Sequence, residues 1–90
     1  MKTIRGYIKG TVQGVFFRKF LEEKANELKV RGYCRNLDDG RVEFIAEGRD
    51  ENVNEFIQVC EKGPPQGQIS GVETKEIKHQ GFKDFKILRL

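Results

Sequence analysis

Ninety residues make one domain, 1–90, with a small hydrophobic core. A hydrophobic fraction of 37% in clearly periodic segments excludes a disordered tail. The net charge of +3 permits anionic partners, but lysines and arginines alternate with acids throughout; this argues for a solvated surface and against a nucleic-acid footprint.

The amino terminus, MKTIRGYIKG, is polar and alternating. It lacks the apolar stretch of a signal peptide, and no transmembrane run follows, so a cytoplasmic protein is expected, with no membrane partner. Cys34 and Cys60 form no CxxC pair, and no cysteine–histidine cluster has zinc spacing. Both are expected as free thiols in a reducing compartment.

Residues 3–9 alternate Ile4 and Ile8 with polar neighbours, which predicts a half-buried strand with Gly6 on the same face. Residues 10–15 read as a loop. From about 17 to 29, Phe17, Phe20, Leu21, Ala25 and Leu28 form one helical stripe. Segments 32–37 and 41–47 alternate around Asp38-Asp39-Gly40, a hairpin pattern. One face of that pair collects Cys34, Val42, Phe44 and Ala46; the other collects Tyr33, Arg35, Glu43 and Glu47. Asp50 suits a helix cap, and Val53, Phe56, Ile57 and Cys60 give a second helical stripe. Cys60 is thus expected in the core. GPPQG, residues 63–67, ends that helix; 69–77 reads as a strand and FKILRL as a short final one. The order βαββαβ plus a short strand predicts an α+β, ferredoxin-like split βαβ fold. Two helices would cover one face of an antiparallel sheet.

The stretch GTVQGVFFRKF, Gly10 to Phe20, carries the most chemistry. A helix start is partially positive, so Arg18 is locally unfavourable there unless an anion joins it. The first N–H groups of a helix have no intrahelical partners. Gly14 can adopt φ > 0 and let such groups converge into an anion nest. Arg18 could fold back over it as a planar, bidentate donor. An ordinary strand-to-helix turn with a chance arginine is the other reading. A Walker-type loop is excluded, because no lysine–hydroxyl pair follows Gly14.

The remaining inventory is thin. His79 is the only histidine and reads as a surface residue without a partner. Asp38 and Asp39 fail the spacing of a calcium loop and read as turn residues. Any reaction here must need little acid–base help.

Gly10 to Arg18 resembles the first signature of the acylphosphatases, G-x-V-Q-G-V-x-F-R. Gly32 to Gly48 resembles their second, through Tyr33, Cys34, Arg35, Asn36, Gly40, Val42 and Gly48. The detailed likeness covers roughly the first half of the chain, and residues 49–90 agree in layout. The resemblance implies hydrolysis of a carboxyl–phosphate anhydride to a carboxylate and inorganic phosphate, without metal or organic cofactor. It implies that Arg18 binds phosphate and Asn36 positions the attacking water. Backbone N–H groups of Gln13, Gly14, Val15, Phe16 and Phe17 would complete the cradle. A small-molecule acyl phosphate is the expected partner, phosphate the product or inhibitor, and a monomer the expected state.

Two rivals share this fold. A single-strand RNA-binding module would present stacking aromatics on its middle strands, and Tyr33 is one candidate, but the RNP1-like pattern is absent. A related domain that only binds a phosphorylated ligand is the other. It is disfavoured because Arg18 and Asn36 are both present and no attached domain is seen.

Overall fold

The computed structural model describes residues 1–12, 14–65 and 67–89, with Val15 described by its backbone. The elements are β1 (Lys2–Thr11), α1 (Val15–Glu27), β2 (Arg31–Asn36), β3 (Val42–Gly48), α2 (Asp50–Lys62), β4 (Gln68–Glu76) and β5 (Phe85–Ile87). The strands form one sheet in the order β4-β1-β3-β2-β5. α1 packs on β2 and β5, and α2 packs on β1, β3 and β4. This is the ferredoxin-like βαββαβ arrangement with a fifth strand.

The expected antiparallel sheet needs one correction. β1, β2, β3 and β4 pair antiparallel, but β5 runs parallel to β2. β4 finishes at the end of the sheet where β2 begins, as the pairs Ile4↔Glu76 and Arg31↔Glu47 show. The connection crosses that end, so β5 starts level with β2 and points the same way.

Both apolar stripes face the sheet. Phe17, Leu21 and Ala25 are buried on α1, and Val53, Phe56 and Cys60 on α2. Phe44 lies edge-on to Phe56, with ring centroids 5.5 Å apart. Its ring occupies the space a Cβ on Gly6 would need. α2 begins differently from the expected cap: Arg49 is the N-cap, without a side-chain hydrogen bond. Asp50 and Glu51 stand in the first turn, where their charge complements the helix dipole. Gly63, at φ 71°, ends the helix and donates its N–H to the Val59 carbonyl.

Two acidic residues depart from the picture of charge as solvated surface. Glu43 and Glu47 are buried, although they lie on the face without helices. β3 is the central strand, so its outer face is covered from both sides. Glu43 accepts from Arg35 Nε at 2.7 Å and Tyr33 Oη at 3.3 Å, with Arg5 Nε at 3.9 Å.

Glu47 anchors the β4–β5 connection. It accepts from Thr3 Oγ1 at 2.6 Å and from the N–H groups of Gln80, Gly81 and Phe82 at 2.6, 2.9 and 2.9 Å. His79 Nδ1 lies 3.2 Å from the same carboxylate, so the histidine is exposed, as expected, but has a partner.

Burial pushes the Glu47 carboxyl up, but the hydrogen bonds from Thr3, Gln80 and Phe82 and the charge of His79 outweigh it and hold its pKa at about 2. A depressed carboxyl stabilises the fold above its ordinary pKa of 4.5, and that contribution is lost as pH falls towards about 2. It amounts to about 3 kcal/mol. Glu47→Gln is expected to lower the melting temperature at neutral pH and to flatten the loss of stability between those two pH values. Thermal melts across the range measure both.

Candidate active site

One end of the sheet gathers the residues that the sequence singles out. β1 ends there beside the start of β3, with Ile8 opposite Val42, and Asn36 closes β2 opposite the same valine. Thr11 pairs with Gln68, which brings the loop after α2 to this end as well.

The β1–β4 register shifts between Lys9 and Gly10. At Gly10, φ is 139°, and a Cβ would collide with the Gln68 carbonyl, so only glycine allows the strands this close. Beyond this bulge the chain leaves the sheet and enters α1. Gly14 is the helix N-cap, at φ 106° and ψ 167°, with open space where a Cβ would stand.

The helix starts at Val15, earlier than the pattern 17–29 suggests. The expected loop therefore stops short: Val15, Phe16 and Phe17 form the first helical turn, and their N–H groups lack intrahelical acceptors. The N-cap makes no side-chain hydrogen bond, and the first turn holds no acidic residue. Phe17 is buried and pins the turn to the core, whereas Phe16 is 57% exposed. Gln13 lies outside the described residues.

Arg18 folds back on this turn, and its Nε donates to the Gly14 carbonyl at 3.3 Å. Among the described residues it has no carboxylate partner, unlike Arg35 with Glu43 and Arg41 with Asp39. Asn36 shares the helix-facing side of β2 with Cys34, whose thiol donates to the Arg18 carbonyl at 4.0 Å. Asn36 is one pleat further along, roughly 6.5 Å. The first turn of α1 and the end of β2 thus meet in one corner. The Oδ1 of Asn36 is buried there and accepts no hydrogen bond among the described residues.

Other candidates stand apart or are inert. Burial pushes the Cys34 thiol up to about 12, against the lowering effect of Arg18. Burial holds Cys60 well above the usual thiol range. Neither is a thiolate near neutral pH. His79 lies in the β4–β5 connection at the opposite end of the sheet. Among the described residues, no three His, Cys, Asp or Glu side chains gather as a metal site. None of their helices is long and apolar enough to cross a membrane.

The sequence reading did not foresee two grooves at this end. One, of about 550 Å³, lies between α1 and α2 and is lined by Phe20, Lys24, Val59, Lys62, Pro64 and Pro65 among others. The second, of about 470 Å³, is lined by Lys9, Gly10, Asp39, Gly40 and Arg41. The GPPQG segment was the available clue to the first, but nothing in the sequence shows which end of α1 it meets.

The family model for acylphosphatase matches residues 4–87. An acylphosphatase of Methylococcus capsulatus is 41% identical over 90 residues, covering 99% of this chain and 98% of that one. The crystal structure of acylphosphatase from Bacillus subtilis superposes with a TM-score of 0.94 at 33% identity, covering 99% of this chain and 100% of the other. An acylphosphatase structure from Coxiella burnetii gives 0.91 at 36%, covering 97% and 92%. Two helices on one face of a β4-β1-β3-β2-β5 sheet define an α+β domain of the ferredoxin-like class. Its family follows from the match: the chain belongs to the acylphosphatase family.

Gly14→Ala tests the turn. A Cβ meets nothing within 4 Å, so its cost is backbone strain at φ 106° and not packing. We expect a stability loss of about 1 kcal/mol or slightly more, with a clearly weaker response to inorganic phosphate in an NMR titration.

Proposed function

We propose that this protein hydrolyses acyl phosphates to a carboxylate and inorganic phosphate, with the phosphate held at the start of α1. The observation that carries this is the corner where Arg18, the uncapped first turn and the orphaned Oδ1 of Asn36 meet. Family membership supports the reaction class.

The chemistry suits so small a set of groups. The leaving group is a carboxylate whose conjugate acid has a pKa of about 4. It departs without a proton, so no general acid is required. The transition state is loose, with charge spread over equatorial oxygens. The N–H groups of Val15, Phe16 and Phe17 and the guanidinium of Arg18 face that charge. Gln13 and Gly14 complete the cradle in this reading.

Asn36 has a distinct role. A buried acceptor without a partner costs about 1–3 kcal/mol, and a water O–H is a suitable donor. Held by Oδ1, that water keeps a lone pair directed at phosphorus. The water oxygen bonds to phosphorus as the bond to the acyl oxygen breaks, the electron pair leaves with the carboxylate, and the water's proton passes to a phosphoryl oxygen of the substrate. We propose that the reaction uses neither metal nor organic cofactor, and that the protein works as a cytoplasmic monomer.

The RNA-binding rival loses its stacking residue. Tyr33 packs edge-on against Phe82, with centroids 5.9 Å apart, and donates to buried Glu43.

The test is steady-state hydrolysis of acetyl phosphate with chelator present. Arg18→Lys is expected to lower kcat/KM about 10²-fold or more and to weaken phosphate inhibition, because lysine lacks the planar fork. Asn36→Ala is expected to lower kcat by about 10²-fold with phosphate inhibition largely retained. Full activity in Asn36→Ala would remove the water-positioning role. No turnover by folded wild type that still binds phosphate would favour a binding domain.

A further inference from the structure

We infer that the cavity at the opposite end of the sheet from the Arg18 corner binds a diphosphate group, inorganic or esterified, through Lys29, Arg31 and Lys83. This site is separate from the proposed reaction and does not depend on it.

Three chain segments frame the cavity: the turn from α1 into β2, the junction of β3 with α2, and the entry to β5. They are fastened together. A Cβ on Gly48 would stand 3.3 Å from the Lys29 carbonyl, and the Gly32 N–H donates to the Asp84 carbonyl at 2.8 Å. The volume, about 740 Å³, is within the range of small-molecule sites. Buried Val30 and Phe85 lie among its walls.

The charges around it do not cancel. Lys29, Arg31, Arg49 and Lys83 line it, against Glu27 and Asp84. Each of these two acids has a lysine from outside the cavity beside it. Lys24 Nζ lies 3.6 Å from Glu27, and Lys86 Nζ lies 3.9 Å from Asp84. Arg49 pairs with Glu51 at 3.2 Å. Glu47 stands opposite Arg31 in the β2–β3 register, but Thr3 and three backbone N–H groups occupy its oxygens. Lys29, Arg31 and Lys83 are left without an ion pair among the described residues. Like charges around a recess repel one another, and an anion between them turns the repulsion into attraction. Three cations exceed what one phosphate group neutralises, so a diphosphate is the smallest phosphate group that matches them.

Lys29 is held there against local preference. Among the described residues it is the one non-glycine residue of positive φ, at 57°. Glycine is the usual residue in that conformation after a helix end. The helix dipole does not demand a lysine at 29, because Lys24 already stands in the last turn of α1. Nor do bare carbonyls oppose an anion, since those of Lys24, Ala25 and Asn26 accept from the N–H groups of Leu28, Val30 and Lys29. A ligand at the cavity accounts for a charged side chain kept on a strained backbone at its edge.

The experiment titrates isotope-labelled protein by NMR with methylenediphosphonate, whose P–C–P bridge is not hydrolysed, and with its monophenyl ester. The amides of residues 28–31 and 83–85 are expected to shift on one saturating curve, apart from those of 14–18. Lys29→Gly and Lys83→Gln are each expected to weaken that binding about tenfold. Lys75→Gln removes the same charge from the exposed edge strand β4 and should leave the binding unchanged. Lys29→Gly is also expected to keep or raise Tm, because glycine relieves the backbone, so its lost binding is not lost folding. Tighter binding of the ester assigns the site to an organic diphosphate, and equal binding assigns it to the inorganic ion. Shifts that do not saturate, shifts confined to residues 14–18, or equal weakening by Lys75→Gln would overturn the site.

Discussion

The double burial of β3 is the constraint on which the rest of the molecule depends. Every residue of this strand is buried. Its helix-facing side places Phe44 between Gly6 and Phe56, which sets how closely α2 approaches β1. Its other side holds two carboxylates, and an unpaired buried charge is untenable. Glu43 therefore collects the side chains of β1 and β2, and Glu47 collects the backbone of the β4–β5 connection. The first arrangement braces the open face of the sheet. The second carries the chain to the far edge, where β5 completes the floor under α1.

Much of this was legible because period and punctuation agree. The stripe through Phe17, Leu21 and Ala25 faces the core as the spacing requires. Asp39-Gly40 sits in the tight connection between β2 and β3, closed by the hydrogen bond from the Leu37 N–H to the Arg41 carbonyl. What was not legible depends on long-range placement. Glu43 and Glu47 read as surface because alternation gives a residue's face, not what covers that face. The direction of β5 depends on the path of the preceding connection. Gly14 takes the positive φ that the sequence allows, but the apolar stripe begins only at Phe17, so periodicity does not mark the start of α1 at Val15.

The two signatures lay in the chain as separate stretches, and the fold explains why they belong together. β2 ends at the end of the sheet where α1 begins, so the strand end that carries Asn36 and the turn that Arg18 folds over stand at the same corner. The likeness also runs further than the signatures, since the family match continues to residue 87. The second half of the chain supplies α2, whose far end adds Pro64 and Pro65 to the same end of the molecule. A glycine-turned helix start, a strand end and a helix–helix groove thus come from three distant parts of a short sequence.

The two cysteines have a consequence for how opening motions can be observed. Cys34 is buried on β2 beneath α1, with its thiol against the Arg18 carbonyl, and Cys60 is buried on α2. Each helix therefore shields one thiol. A small alkylating reagent reaches sulfur only in states where the shielding element has lifted, and its rate reports how often that happens. The protein carries an internal pair of clocks, one for each helix, and the clock under α1 ticks when the turn that Arg18 folds over comes apart.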